Sequence, residues 1–209
     1  MMIPILILAA GASRRMTGRD KLLMEVGDQT LLRHVVKRAV ATGHPVLVAL
    51  PVGNTARRDA LAGLDVQIIS VTDHDQGMAA SLRAGLAVMP VDCDGMLIGL
   101  ADMPEVTKVD YMFIINAFSS DPDANIHRGA SQDGIAGNPV LLPRWALSDP
   151  SLFTGDAGAR HLLKKHSDKV RLVPLPDDHA ITDLDTPQDW DTWRSRSASP
   201  VGDFSRGKP

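Results

Sequence analysis

One cysteine in 209 residues, Cys93 between Asp92 and Asp94, leaves no partner for an intramolecular disulfide. The chain must therefore be closed by packing, and a reducing cytoplasm is its expected compartment. Excess basic charge is also missing: 22 Lys and Arg stand against 25 Asp and Glu, so there is no electrostatic ground for a nucleic-acid surface. Aromatic residues make up only 4 %, and Trp145, Trp190 and Trp193 do not alternate with basic residues, so they read as packing groups rather than a stacking platform. The histidines lack zinc spacing: His161 and His166 lie five apart, and His74, His127 and His179 are isolated. No apolar run reaches membrane-spanning length, because Ile3 to Ala10 is stopped by Gly11, Arg14 and Arg15. A secretory leader would place basic residues before that run, whereas Met1, Met2, Ile3 and Pro4 come first, so the run is read as a buried strand. The Gly-x-x-x-x-Gly-Lys-Ser/Thr, Gly-x-Gly-x-x-Gly and Gly-x-Ser-x-Gly patterns are absent, which argues against a P-loop NTPase, a dinucleotide-binding dehydrogenase and a serine hydrolase.

What is present is alternation. Short apolar runs recur at 5–9, 46–50, 66–71, 95–100, 139–142 and 170–175, several of them uninterrupted, as in strands buried on both faces. Between them the spacing predicts helices. Leu31, Leu32, Val35, Val36, Ala39 and Val40 line one face before Gly43; Met78, Ser81, Leu82, Gly85, Leu86 and Met89 line another; a third helix spans about 108–118. Thr186 and Pro187 have the form of an N-cap and first helical position, followed two residues on by Asp189. The pattern predicts one α/β domain over 1–194 with a doubly wound, mostly parallel sheet. The Ser-rich segment 195–209 has little to bury and is expected to be a flexible tail.

Three stretches carry candidate chemistry. The turn Leu8-Ala9-Ala10-Gly11-Ala12-Ser13 allows backbone N–H groups to approach a phosphate, and Ser13, Arg15 and Lys21 add hydrogen bonds and charge. An ordinary strand-to-helix turn with a solvated basic run is the alternative. Asp102, after the apolar run 95–100, is placed at the carboxyl end of a strand, where open α/β sheets bind ligands. Asp185 precedes a helix start, and Asp183, two residues earlier, shares its side if the segment is extended. Magnesium takes hard oxygen ligands, only one or two of them protein carboxylates, so Asp102 with Asp185 is a sufficient set and Asp183 the fallback. A solvated turn acid at Asp102 and helix capping at Asp185 are the competing roles. Ser81, one turn after Gly77, either meets a nucleotide or packs on the sheet, and Asp156 with Arg160 is spaced as a helical ion pair.

The first stretch resembles the Leu-Ala-Ala-Gly-x-Ser-x-Arg-Met loop of the nucleotidyltransferases that make molybdenum-cofactor dinucleotides. Four further segments agree in order: Gly77-Met78-Ala79-Ala80-Ser81-Leu82, Leu100-Ala101-Asp102-Met103-Pro104, Gly137-Asn138-Pro139-Val140-Leu141 with Gly155-Asp156-Ala157-Gly158-Ala159-Arg160, and Asp183-Leu184-Asp185-Thr186-Pro187. The resemblance implies a glycosyltransferase-A-like fold and Mg²⁺-dependent transfer of a nucleoside monophosphate to a phosphorylated acceptor, molybdopterin above all. It implies that Leu8, Ala9, Ala10, Gly11, Ser13, Arg15, Lys21, Gly77, Ser81 and Asp102 meet the nucleotide, with Arg15, Lys21 and Asp102 catalytic. Gly137, Pro139, Asp156 and Arg160 would border the acceptor. The Leu8-Ala9-Ala10-Gly11 form is closer to the cytidylyltransferase branch than to the guanylyltransferase branch, so CTP is expected over GTP. Thr17 before Gly18 departs from the simplest form of the loop by one residue. A sugar- or polyol-phosphate nucleotidyltransferase is the alternative enzyme, and a non-catalytic nucleotide-binding partner that delivers cofactor to a molybdoenzyme is the alternative of another class.

Overall fold

The computed structural model describes residues 1–121, 125–148, 153, 155 and 158–198. Strands β1 (Ile5–Leu8), β4 (Val46–Pro51), β5 (Gln67–Val71), β6 (Gly95–Leu100), β7 (Ile126–Ala130), β8 (Ala136–Pro143) and β9 (Val170–Pro174) form one sheet in the order β5-β4-β1-β6-β8-β7-β9. All its neighbours pair in parallel except β8, which runs against both β6 and β7. A small hairpin of β2 (Glu25–Val26) and β3 (Gln29–Thr30) stands apart. The mostly parallel α/β architecture expected from the alternation is therefore present, with one antiparallel strand inserted.

Helices α1 (Leu31–Val40), α4 (Lys108–Ser119) and α7 (Pro187–Ala198) cover one face of the sheet, and α3 (Met78–Ala87), α5 (Arg144–Leu147) and α6 (Arg160–Lys165) cover the other. The short α2 (Thr55–Ala60) follows β4. The period-two geometry of a strand divides β1 between the two cores: Ile5 and Ile7 enter the α1 side, Leu6 and Leu8 the α3 side. That is why the run is apolar without alternation. Each such side chain, fully removed from water, contributes roughly 1.5–3 kcal/mol.

Local signals set the helix ends. Thr30 caps α1, its hydroxyl accepting from the Arg33 N–H at 3.3 Å. The α1 face buries Leu31, Leu32, Val35, Val36 and Ala39 as its spacing predicts. For α3 the expected face is displaced: Ala79 and Ala80 join Ser81, Leu82 and Gly85 in the interior, while Met78 is 38 % exposed. The small alanines pack against the sheet, leaving the longer Met78 at the surface. At α7 the Thr186 hydroxyl accepts from the Asp189 N–H at 3.2 Å, and Asp189 accepts in return from the Thr186 N–H at 2.7 Å. This helix continues past Arg194 to Ala198, into the segment expected to be a tail; 199–209 lie outside the described residues.

The sheet order reverses at β1: the chain goes from β1 outward to β4 and β5, then returns to β6 on the other side. Open α/β sheets bind ligands at the carboxyl ends of strands at such a switch point. Leu8 pairs with Leu100 in register, and the Ala101 N–H donates to the Leu8 carbonyl at 3.2 Å. The loop after β1 and the residues after β6 therefore leave the sheet side by side.

Candidate active site

Asp102 lies just beyond β6, and its carbonyl accepts from the Leu184 N–H at 3.0 Å. That bond brings the 183–185 segment, from the far end of the sequence, against the strand end. Because Thr186 and Asp189 cap α7 between them, the Asp185 carboxylate is available for the loop after β1. It meets Lys21 there. The Lys21 Nζ donates to Asp102 Oδ2 and to Asp185 Oδ1, both at 2.5 Å, and Arg15 Nη1 donates to Asp185 Oδ2 at 2.6 Å. Lys21 is only 8 % exposed, so it is not one more solvated cation of the Arg19-Asp20-Lys21 run.

The electrostatics follow from this geometry. Burial alone lowers a lysine pKa, but the charge of Asp102, together with hydrogen bonds to both carboxylates, outweighs it and holds the ammonium above its ordinary value. Burial pushes Asp185 up, but Lys21 and then Arg15 bring its carboxyl below the usual range. Among the described residues Asp183 forms no ion pair; burial first, then the neighbouring Asp102 and Asp185 carboxylates, raise it against the opposing charge of Lys21. Asp102 Oδ1 is buried without a hydrogen-bond partner among the described residues. A buried carboxylate oxygen normally has one, so this atom is suited to a ligand. Among the described residues no three His, Cys, Asp or Glu side chains could hold a metal by themselves. A cation here would need ligands from substrate as well, as magnesium commonly does.

The loop after β1 is held by residues close in space and far apart in sequence. Ser13, with φ of 50°, accepts the Lys21 N–H at 3.3 Å and donates to Asp20 at 3.5 Å, while Asp20 also accepts from the Leu22 N–H. Arg57, on α2 and 2 % exposed, fixes the base of the loop. Its Nε and Nη2 grip Asp20 at 2.7 and 2.8 Å, and its other donors reach the Ala9 carbonyl at 2.6 Å and the Gly11 carbonyl at 2.9 Å. Sequence reasoning missed Arg57. Its only local signal is Asn54, which caps α2 by accepting the Arg57 N–H at 2.9 Å, and nothing there separates Arg57 from its neighbour Arg58.

Truncating Arg57 removes its donors from the Ala9 and Gly11 carbonyls and leaves Asp20 with only the Leu22 N–H and the Ser13 hydroxyl. Arg57→Ala is expected to cost roughly 2–4 kcal/mol of folding stability, with Arg57→Lys recovering only part because a lysine lacks the bidentate fork. Urea unfolding measures this, and a midpoint unchanged in Arg57→Ala would contradict the role.

The remaining predicted residues are spread along the same edge. Leu8, Ala9 and Ala10 are buried, while Gly11 and Ala12 are exposed at the loop's turn. Gly77 has φ of 88°, a left-handed conformation that favours glycine, and opens α3; Ser81 is buried one turn later, on the packing side. Gly137 and Pro139 lie on β8. A side chain at Gly137 would place its Cβ 1.8 Å from the Ala180 carbonyl oxygen, so close backbone approach alone requires glycine there. The Asn138 N–H donates to that same carbonyl at 2.8 Å, which ties β8 to the chain entering the 183–185 segment. Arg160 begins α6 and is exposed; Asp156 lies outside the described residues, so the expected pairing of the two does too. Gly158 sits against Met78 at the start of α3, where a Cβ would lie 2.6 Å from the Met78 sulfur.

A loop of small residues leads to a buried lysine shared by two carboxylates, at a sheet's switch point. Residues 5–170 match the MobA-like NTP transferase domain. The chain belongs to the MobA-like NTP transferase family. It is a nucleotidyltransferase with that family's α/β fold. It is 28 % identical over 162 residues to the molybdenum cofactor guanylyltransferase of Shewanella loihica, covering 77 % of this chain and 78 % of that one. It is 31 % identical over 194 residues to the nicotine blue oxidoreductase of Paenarthrobacter nicotinovorans, covering 86 % and 90 %. Among solved structures, Rv0371c of Mycobacterium tuberculosis H37Rv in complex with manganese superposes with a TM-score of 0.77 at 26 % identity, over 92 % of this chain and 97 % of that one. No helix among the described residues is long and apolar enough to cross a membrane.

Proposed function

We propose that this MobA-like nucleotidyltransferase transfers CMP from CTP to the phosphate of molybdopterin, with Mg²⁺ as its metal and pyrophosphate as the leaving product. The observation that carries this reading is the position of Lys21 Nζ, 2.5 Å from both Asp102 and Asp185 at the switch point. Two carboxylates from distant parts of the chain converge on one cationic position, and Asp102 Oδ1 has no partner among the described residues, so the donor set fits a hard divalent cation. Asp102 and Asp185 would hold it, and when bound it would polarise the α-phosphate as a Lewis acid.

The protein's own part is positioning and charge. Backbone N–H groups from Ala10 to Ser13 are free of regular sheet pairing and would cradle the triphosphate. Lys21 and Arg15 sit at the same centre and would neutralise charge on the transferring and leaving groups. An acceptor phosphate oxygen attacks the α-phosphorus, and the bond from that phosphorus to the β-phosphate oxygen breaks. No side chain is required as a covalent nucleophile.

The choice of base rests on Leu8-Ala9-Ala10-Gly11, whose form resembles the cytidylyltransferase branch, against the guanylyltransferase name of the Shewanella relative. With one acceptor, kcat/KM for CTP is expected to exceed that for GTP by about tenfold or more, the scale of one well-used polar contact. A preference for GTP would move the chain to the other branch. The Paenarthrobacter relative's name suggests a redox reading. Turnover of nicotine blue itself, without pyrophosphate release in the transfer assay, is the outcome that would favour it. Transfer to sugar phosphates instead of molybdopterin would redirect the acceptor. Nucleotide binding without any turnover would favour a delivery partner of a molybdoenzyme.

A further inference from the structure

Away from the Lys21 cluster, a cavity of about 460 Å³ opens between α6 and the outer strands β7 and β9. Its lining is chemically divided. Arg128, Arg160 and Lys164 supply cations and Ser167 a hydroxyl, whereas Leu163, Val170 and Leu172 form an apolar wall. Arg128 is held by the protein: its Nε donates to the Gly137 carbonyl at 2.8 Å and Nη2 to the Ala136 carbonyl at 3.3 Å. A guanidinium carries five N–H donors, so most of its capacity remains for something else. Among the described residues no carboxylate forms an ion pair with Arg128, Arg160 or Lys164. Burial and the neighbouring Arg160 lower the Arg128 pKa, the electrostatic mark of cations gathered without a nearby counter-ion.

The cavity's position relates it to the transfer centre. Arg128, Val140 and Ile98 occupy one row across β7, β8 and β6, and Asp102 lies just past the end of β6. Two strand spacings separate β7 from β6, about 10 Å. Arg128 reaches along the sheet to Gly137, towards the end where Asp102 and Asp185 stand, and α6 follows Gly158, which touches Met78 of α3. An elongated acceptor with its reacting phosphate at Asp102 has its far end within reach of this cavity.

We propose that the cavity between α6 and the β7–β9 edge binds a tetrahedral oxyanion carried by the acceptor at the end remote from its reacting phosphate, with the acceptor's apolar or planar body on Leu163, Val170 and Leu172. The proposal rests on the transferase reading for the word acceptor, and on the cavity alone for the oxyanion.

The test separates the two. Inorganic phosphate and molybdate are titrated into the full chain, following the arginine Nε–H signals by NMR, in the parent, Arg160→Gln, Lys164→Gln, Arg128→Gln and Lys21→Ala. Saturable shifts of the Arg128 and Arg160 signals are expected, persisting in Lys21→Ala and weakened about tenfold or more in Arg160→Gln and Lys164→Gln. Tighter molybdate assigns the site to a metal-bearing end of the acceptor, and tighter phosphate to a second phosphate. Absence of saturation with either anion, or loss in Lys21→Ala alone, overturns the site. Thermal unfolding of Arg128→Gln separates lost binding from lost packing, and the exposed Arg160 keeps the test decisive if that variant unfolds. With molybdopterin and CTP, Arg160→Gln is expected to raise KM for the acceptor about tenfold while KM for CTP stays within about twofold. An unchanged acceptor KM beside weakened anion binding overturns the acceptor assignment. Absence of any transfer in the parent contradicts the transferase reading and leaves the anion titration to judge the cavity.

Discussion

Asp102→Asn is expected to unfold at nearly the parent temperature and to transfer nucleotide at least about a hundredfold more slowly, a loss of roughly 2.7 kcal/mol or more in transition-state stabilisation. The fold should survive because the side chain is nearly isosteric and the Asp102 carbonyl, not its carboxylate, accepts from Leu184. Lys21 also keeps Asp185 at 2.5 Å as a counter-ion. What disappears is the carboxylate's negative charge, with one oxygen, either the Oδ2 that meets Lys21 or the Oδ1 without a partner among the described residues, replaced by an amide NH₂. Steady-state transfer at saturating Mg²⁺ beside thermal unfolding measures both effects. Asp185→Ala should behave similarly, whereas Asp183→Ala should lose less, because Asp183 is exposed and its carboxyl is raised rather than paired. Unchanged turnover in Asp102→Asn removes it from the metal set, and a reversed order of the other two passes the second ligand to Asp183.

The second large effect is at Lys21, where the structure alters what a surface lysine would predict. Its ammonium is nearly buried between two carboxylates, so Lys21→Ala leaves Asp102 facing Asp185, with Arg15 alone on the latter. Removing one partner of a fully buried pair costs about 3–5 kcal/mol. Here the Asp102 and Asp185 side chains are 20 % and 29 % exposed, and solvent screening reduces the expected loss to roughly 1–2 kcal/mol. Adding Mg²⁺ should restore part of the unfolding midpoint in the variant more than in the parent, because the bare carboxylates gain a replacement cation. Nucleotide KM should rise and kcat fall, and Lys21→Arg should rescue only partly, since the guanidinium differs in shape and reach. A variant with parental midpoint, kcat and KM would make Lys21 incidental to both folding and transfer.

These residues were legible because their cues are local. A small-residue turn after an apolar strand, an aspartate just past another strand and an Asp-x-Asp-Thr-Pro helix entry can each be read within a few positions. Strand β7 carries no such local cue, since His127 and Arg128 break its apolar run and its place is fixed by pairing with β8 and β9. The antiparallel β8 was read as a strand without its direction, which depends on connections rather than composition. Arg57 was invisible for a similar reason: Asp20 is 37 residues away, and only the fold brings them together. For Gly137 the sequence marked the position and the structure provides a packing reason, the Ala180 carbonyl, that needs no ligand. The α3 face was displaced because alanine size, not hydrophobicity alone, decides which residues fit closest to a sheet.

The activity proposed for the Lys21–Asp102–Asp185 centre is transfer of a nucleoside monophosphate to an acceptor phosphate. Its most direct measurement follows the label of α-³²P-CTP into molybdopterin while pyrophosphate is quantified in the same reaction, with Mg²⁺ and with the metal chelated. The expected result is one labelled acceptor formed for each pyrophosphate released, dependent on divalent metal and reduced at least about a hundredfold in Asp102→Asn. Pyrophosphate release that persists with the metal chelated, or label that enters the acceptor as readily in Asp102→Asn as in the parent, would contradict it.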